Sequence, residues 1–377
     1  PDEFVSQALL LMTKYNKRRI VVKEGEHFLG ILEDINLLSF FAGNSQLVVG
    51  RIDRASTLAD LGAAAKQIAE QVRPLRRQGV KFEVVAEIMS DLNRRLFAKL
   101  FDLLCPPEMR DKCCLIVMGS EGRGEQTIRT DQDNGLILAG PVDEAALNRF
   151  REQFSGALAD FGFPPCPGHV MVNNPLWSRT LAQYIADFGS WTTTPDEQSA
   201  MNVAIFFDAE AVAGDASLLA RAKKELVEKV ANERVFLARF AKAIESFEPP
   251  IGLFNTLKTS EGEGDALDLK KGGIFPIVHG VRSLAIEQGL EETNTVKRLN
   301  KLAELGLINE EFARDLARAL DYLMTIRLDA QIEAAKSASL LKPATLSSMD
   351  RDLLRDSFQV VKQLRDLVRR RFNLAMF

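Results

Sequence analysis

Histidine is nearly absent. The 377 residues hold three: His27, His169 and His279. Cysteine is almost as scarce, with only Cys105, Cys113, Cys114 and Cys166, irregularly spaced. No C-x-x-C pair occurs, so a zinc enzyme with the usual Cys/His ligand set is not expected. Four irregular thiols make no disulfide framework, and Cys113 and Cys114, inside an apolar run, read as buried. No apolar stretch approaches the roughly 20 residues a membrane span needs, and no signal peptide is visible. A cytoplasmic protein without membrane association is the expectation. An excess of one charge is also lacking. Charged residues make up 27% and the net charge is -4, which exerts no general pull on nucleic acid or anionic lipid. A polyanionic ligand would have to be held by a local site. The chain opens on Pro1-Asp2-Glu3-Phe4 without an initiator methionine, as an excised fragment would.

Apolar residues make up 46%, enough for real cores, and the length predicts two or three domains. Residues 5–42 read helix, strand, strand, helix. Residues 57–104 are strongly helical, with apolar residues at i, i+3, i+4 spacing; Arg73 to Lys81 reads as a solvated basic connection. Cys114 to Met118 and Asn134 to Leu138 read as buried strands, and Val203 to Phe207 as a third. Helices are expected over 143–161, 175–190 and 195–204, so the centre alternates strands and helices. From Ala216 onward the chain is nearly all helix: 218–247, 275–288, 295–305, 310–336 and 347–372. The fold class predicted is therefore α+β or α/β, a small mixed sheet followed by an all-helical C-terminal part.

The informative segment lies between the first two strands. A strand delivers Gly119-Ser120, and glycines at 119, 122 and 124 permit positive φ and close approach. Backbone N–H groups in such a turn can converge on phosphate oxygens, and Arg123 offers a planar, multidentate cation. Asp131 and Asp133, two apart on an extended segment, point to the same face. Two adjacent carboxylates repel unless a cation lies between them. Magnesium suits that role, because it binds through one or two carboxylates plus substrate phosphates. A lone Gly-Ser is usually a turn and a lone D-x-D usually a solvated strand end. The order strand, Gly-Ser, glycine-rich turn, paired carboxylates, strand is what carries the signal. Gly122-Arg123-Gly124 is not a dinucleotide fingerprint, since no helix follows and the third glycine is missing.

The pattern resembles the DNA polymerase β-type nucleotidyltransferase superfamily. More closely, Gly119 to Thr127 with Thr130-Asp131-Gln132-Asp133-Asn134 resembles the DUF294 proteins, bacterial relatives of the PII-protein uridylyltransferase. The resemblance spans about residues 80–377. It continues through Asn174-Pro175-Leu176-Trp177, Phe206-Phe207-Asp208, Leu267 to Pro276, Arg282, Arg298 and Arg327 to Gln331. It implies a metal site of Asp131, Asp133 and a third carboxylate, Asp208. It also implies nucleotide contacts from Gly119, Ser120, Arg123, Gly124, Glu125, Thr130, Lys270 and Lys271. Where the family shows arginine two residues after Asp208, this chain has Glu210. Residues 5–42 are similar to a CBS repeat lacking its first strand, with Asn36 at the ribose-contacting place and Glu33 where Ser or Thr is usual.

The organisation implied is 1–56 partial CBS repeat, 57–105 helical linker, 106–217 nucleotidyltransferase domain and 218–377 helical substrate-binding domain. The activity implied is Mg2+- or Mn2+-dependent, signal-regulated transfer of a nucleoside monophosphate from a triphosphate to a hydroxyl of a protein or small molecule. A nucleotide-sensing module with little catalysis is the alternative, favoured by Glu210 and the sensor-like N-terminus. A polymerase acting on nucleic acid is disfavoured, because no basic–aromatic surface is interleaved in the sequence. A homodimer through the N-terminal segment or the helices is left open.

Overall fold

The computed structural model of the chain describes residues 8, 11–12, 17–33, 47–128, 131–193, 196–231, 233–252, 256–257, 266–334 and 340–376. The expected helix from Asp34, together with Asn36, Thr130 and most of the irregular stretch before Leu267, lies outside them. Near the N-terminus, β1 (Arg19–Glu24) and β2 (His27–Glu33) form an antiparallel hairpin.

Two long helices follow. In α1 (Leu58–Arg77), Thr57 and Asp60 form a capping box, in which each side chain satisfies the other's orphan N–H. After the turn at Gly79 (φ +77) comes α2 (Phe82–Leu104). Arg73 and Arg76 are not the solvated connection expected of them. Arg76 grips Asp329 through two nitrogens at 2.9 and 2.8 Å, and Arg73 donates to the Ile332 carbonyl.

The four-stranded sheet has the order β5-β4-β3-β6. Its centre is β3 (Cys113–Val117) and β4 (Asn134–Leu138), paired antiparallel with every residue buried. Residues buried on both faces read as continuous apolar runs, as these do. On the outer sides, β5 (Ser178–Thr180) runs parallel to β4 and β6 (Glu210–Gly214) antiparallel to β3. Helix α3 (Glu144–Asp160), capped by Asp143, packs Phe150 edge-on to Phe101 of α2 at 5.8 Å.

Two expectations fail here. Residues 203–207 are not a strand but the end of α5 (Glu197–Phe207), and the third strand begins at Glu210. The apolar run Val203 to Phe207 is buried on several sides of a helix, which periodicity cannot tell from a buried strand. Residues 175–190 are not one helix. They comprise a 3-10 turn, then β5, then α4 (Leu181–Thr193). Tyr184 and Phe188 of α4 cluster with Phe206 of α5 at 5.0 and 4.8 Å.

The remainder is helical: α6 (Ala216–Ala231), α7 (Arg234–Lys242), α8 (Phe275–Glu287), α9 (Thr295–Glu304), α10 (Glu310–Ala334) and α11 (Ser348–Arg371). Of these, α8 is the hub, with every residue from Pro276 to Ile286 buried. At Gly280 an added Cβ would sit 2.9 Å from Ile244 and 3.1 Å from Leu364, so glycine lets neighbouring helices approach. No helix among the described residues is long and apolar enough to cross a membrane.

Candidate functional site

Strand β3 ends at Val117, and the N–H of the next residue, Met118, donates to the Asp133 carbonyl at 2.8 Å and carries the β3–β4 pairing one step beyond the strands. Gly119 follows with φ +58 and opens a one-turn helix, Gly119–Gly122. A Cβ on Gly119 would lie 2.4 Å from Asp133 Oδ2. The carboxylate thus occupies the space a side chain would need, and the positive φ adds backbone strain to any substitution. Gly122 is equally constrained, since its Cβ would fall 2.1 Å from the Asp208 carbonyl oxygen.

The alternation expected of Asp131 and Asp133 is present. Between them Gln132 points inward, donating to the carbonyls of Ser155 and Phe163 at 3.1 and 3.0 Å. The two carboxylates meet on the other side, and Cys166 joins them: one ligand atom from each lies within 4.8 Å of the others. The loop carrying Cys166 is laced to the acidic segment on both sides, by Gln132 N–H to the Pro164 carbonyl and Asn134 N–H to the Val170 carbonyl. Burial first, then the charge of Asp131, pushes the Asp133 carboxyl up to about 6, against the Cys166 thiol and the positive charges of Arg123 and Lys270. Donors to one divalent ion sit at about 2.0–2.5 Å from it, hence at most roughly 4–5 Å apart. Asp131, Asp133 and Cys166 meet that limit, so the donor set fits a metal ion.

Asp208 does not complete this group, contrary to expectation. It caps the C-terminus of α5, is fully buried, and is enclosed by three arginines. Arg282 binds it with Nη2 at 2.5 Å, Arg298 with Nη1 at 2.7 Å and Arg123 with Nη1 at 2.8 Å. Burial opposes its charge, but Arg282, Arg298 and Arg123 outweigh burial and hold the carboxyl far below the usual range. Each of its oxygens accepts from at least two guanidinium nitrogens. The same network engages Arg123 and Glu125, both expected as nucleotide contacts. Arg123 Nε donates to Glu125 at 2.7 Å, and Glu125 accepts from the Thr295 N–H at 2.8 Å. Both join the turn to the helical part.

The remaining expected contacts divide. Ser120 Oγ donates to Gln126 at 2.8 Å at the mouth of the turn, and Gly124 has φ +66. Lys270 and Lys271 lie on a π-helical turn, Lys270–Ile274. The Lys270 charge reaches Asp133. Lys271 instead leans towards Asp268 and the Phe247 ring. Glu210 pairs with Val117, and Val117 with Asn134. By alternation Glu210 shares the Asn134 face, opposite the two aspartates, where its charge acts on Lys223.

Two family models match the chain. Residues 66–198 match "Putative nucleotidyltransferase DUF294", and residues 234–372 match "Putative nucleotidyltransferase substrate binding domain". The chain belongs to the DUF294 family. Curated relatives of this DUF294 chain include bifunctional glutamine synthetase adenylyltransferase/adenylyl-removing enzymes. Those of Mycobacterium avium (strain 104) and Mycobacterium leprae (strain TN) are 25% and 24% identical over 78% and 77% of the chain. The DUF294 chain spans 28% of the length of each.

Three groups around the DUF294 turn were not legible in the sequence. Cys166 stands in a proline-rich loop with no motif spacing to the aspartates. Arg327 of α10 lies in charge contact with Asp131 and Asp268, and its buried Nε has no hydrogen-bond partner. Glu121, beneath the turn, meets Asn93 of α2 at 3.3 Å, and burial pushes its carboxyl up to about 8.

Proposed function

We propose that residues 106–217 bind a metal–nucleoside triphosphate against the Gly119 turn and transfer its nucleotidyl group to a hydroxyl, with 218–377 forming the opposite wall. One observation carries this: the Asp131 and Asp133 carboxylates converge, with Asp133 resting on Gly119, where a side chain would displace it. A divalent ion, magnesium or manganese, would be held there and would neutralise charge developing on the phosphates. The chain's own residues then mainly position the reactants. Gly119 and Gly124 admit phosphate close to the backbone. Lys270 and the unpartnered Nε of Arg327 offer positive charge from the helical side, next to the aspartates. Transfer forms a bond from the acceptor oxygen to the α-phosphorus as pyrophosphate leaves with the electron pair, and the hydroxyl proton passes to a base.

The relatives' name specifies adenylyl transfer and a protein, glutamine synthetase. ATP with a protein acceptor is therefore the first pair to test, and UTP, the substrate of the uridylyltransferase that the motif resembles, the second. Incubation with each labelled triphosphate, Mg2+ or Mn2+ and cell extract should yield labelled acceptor and pyrophosphate. Asp131→Ala and Asp133→Ala should each lower pyrophosphate release by about a hundredfold or more. Full release by both variants would sink the reading. Glu210 at the family's arginine position favours a second reading, nucleotide sensing without transfer. Tight triphosphate binding with no pyrophosphate release from any nucleotide would mark it. Regulation through the N-terminal hairpin, as half of a CBS-like sensor, belongs to the same proposal.

A further inference from the structure

The expected third carboxylate is spent elsewhere, so the question is what completes the site. Glu121 is directed to Asn93 and Glu210 lies on the opposite face of the sheet. Among the described residues, Asp131, Asp133 and Cys166 form the one group of three potential metal donors.

We propose that Cys166 is the third protein ligand of the ion held by Asp131 and Asp133, and that its sulphur selects a borderline-soft divalent cation. This rests on the metal reading above and changes its ranking of ions: cobalt or zinc would bind most tightly, manganese next and magnesium least. Sulphur ligands favour such ions, whereas sites made only of carboxylate and water suit magnesium.

Two further features fit a ligand and not an incidental thiol. Cys166 is 7% exposed and packs at the edge of the core, where its sulphur also lies within 4.8 Å of a carboxylate oxygen of Asp131 and of Asp133. Its loop is fixed on both sides, by the Gln132–Pro164 and Asn134–Val170 backbone hydrogen bonds, so the sulphur is preorganised. On binding, a metal–sulphur bond forms, the S–H bond breaks, and one proton passes to solvent for each ion bound.

The test is titration of the whole metal-free chain with Cd2+ and Co2+, followed by near-ultraviolet absorption and calorimetry. The expected result is one equivalent bound with a thiolate-to-metal charge-transfer band. Cys166→Ser and Cys166→Ala should abolish the band while Cys105, Cys113 and Cys114 remain. They should weaken Cd2+ binding about 10- to 100-fold, and leave Mg2+ affinity within about threefold. Cys166→Asp should raise Mg2+ affinity and shrink the preference for Cd2+ and Co2+ over Mg2+. Ion binding that needs Asp131 and Asp133 but shows no sulphur band, with Cys166→Ser indistinguishable from the parent, would overturn this proposal and leave the metal reading standing. No binding of any ion by the parent chain would overturn both.

Discussion

At Gly119 the left-handed φ and the overlying Asp133 carboxylate act together. An alanine there would incur about 1–2 kcal/mol of backbone strain. It would also drive Asp133 aside, because its methyl carbon would stand 2.4 Å from Oδ2. Gly119→Ala should therefore lower Mn2+ affinity at least about tenfold and reduce the melting temperature by a few degrees. Gly140, around which nothing lies within 4 Å of an added Cβ, supplies the control: Gly140→Ala should leave both unchanged. Calorimetric titration and thermal unfolding of the two variants decide this. The need for glycine at 119 was legible from the Gly-Ser turn. The contact that makes it absolute was not, because it comes from a residue on the next strand.

The one-turn helix after β3 is pinned to α2 by Glu121 and Asn93, in a place where water does not reach. Glu121 titrates near 8 in the folded chain against an ordinary value of 4.5. Between those values the folded chain holds a proton that the unfolded chain has released. Its stability therefore falls as pH rises, by about 1.4 kcal/mol per pH unit at most. Asp133 acts in the same direction but only up to about 6. Buried His279 is pushed down to about 4, so its contribution is complete once the imidazole is neutral in both states. The fall between about pH 7 and 8 thus belongs to Glu121. In chelator, the urea midpoint of the parent chain should decline across that interval, and Glu121→Gln should flatten the decline. An unchanged slope in the variant would place the titrating group elsewhere. Elements also mark the limit of periodicity. Glu310–Ala334 and Ser348–Arg371 were readable to within two residues because each has one apolar face. Val203 to Phe207, buried on several sides, was not.

Across the whole molecule, Asp208 is the joint. Its carboxylate ties Arg123 of the glycine-rich turn to Arg282 of α8 and Arg298 of α9, while Arg298 also stacks on Phe207 at 4.6 Å. Asn294 and Thr295 add hydrogen bonds to Arg123 and Glu125. Removing one partner of such a buried network strands the others, a loss of about 3–5 kcal/mol. Asp208→Asn should cost roughly that in chemical denaturation while the chain, once folded, still binds one Mn2+. A stable variant that had lost its metal would instead return Asp208 to the ligand set.

The sequence by itself determined the elements whose cause is local. These are the buried strands from their apolar runs, the long helices from their period, the glycine turn from its residues, and the shared side of Asp131 and Asp133 from extended-chain alternation. Tertiary structure alone decided which distant charges meet. Three arginines from three elements close on Asp208 and take it out of the site, and a proline-rich loop brings Cys166 into it. Electrostatic partnership depends on distance in space and on exclusion of water, and neither is encoded in the spacing of residues along the chain.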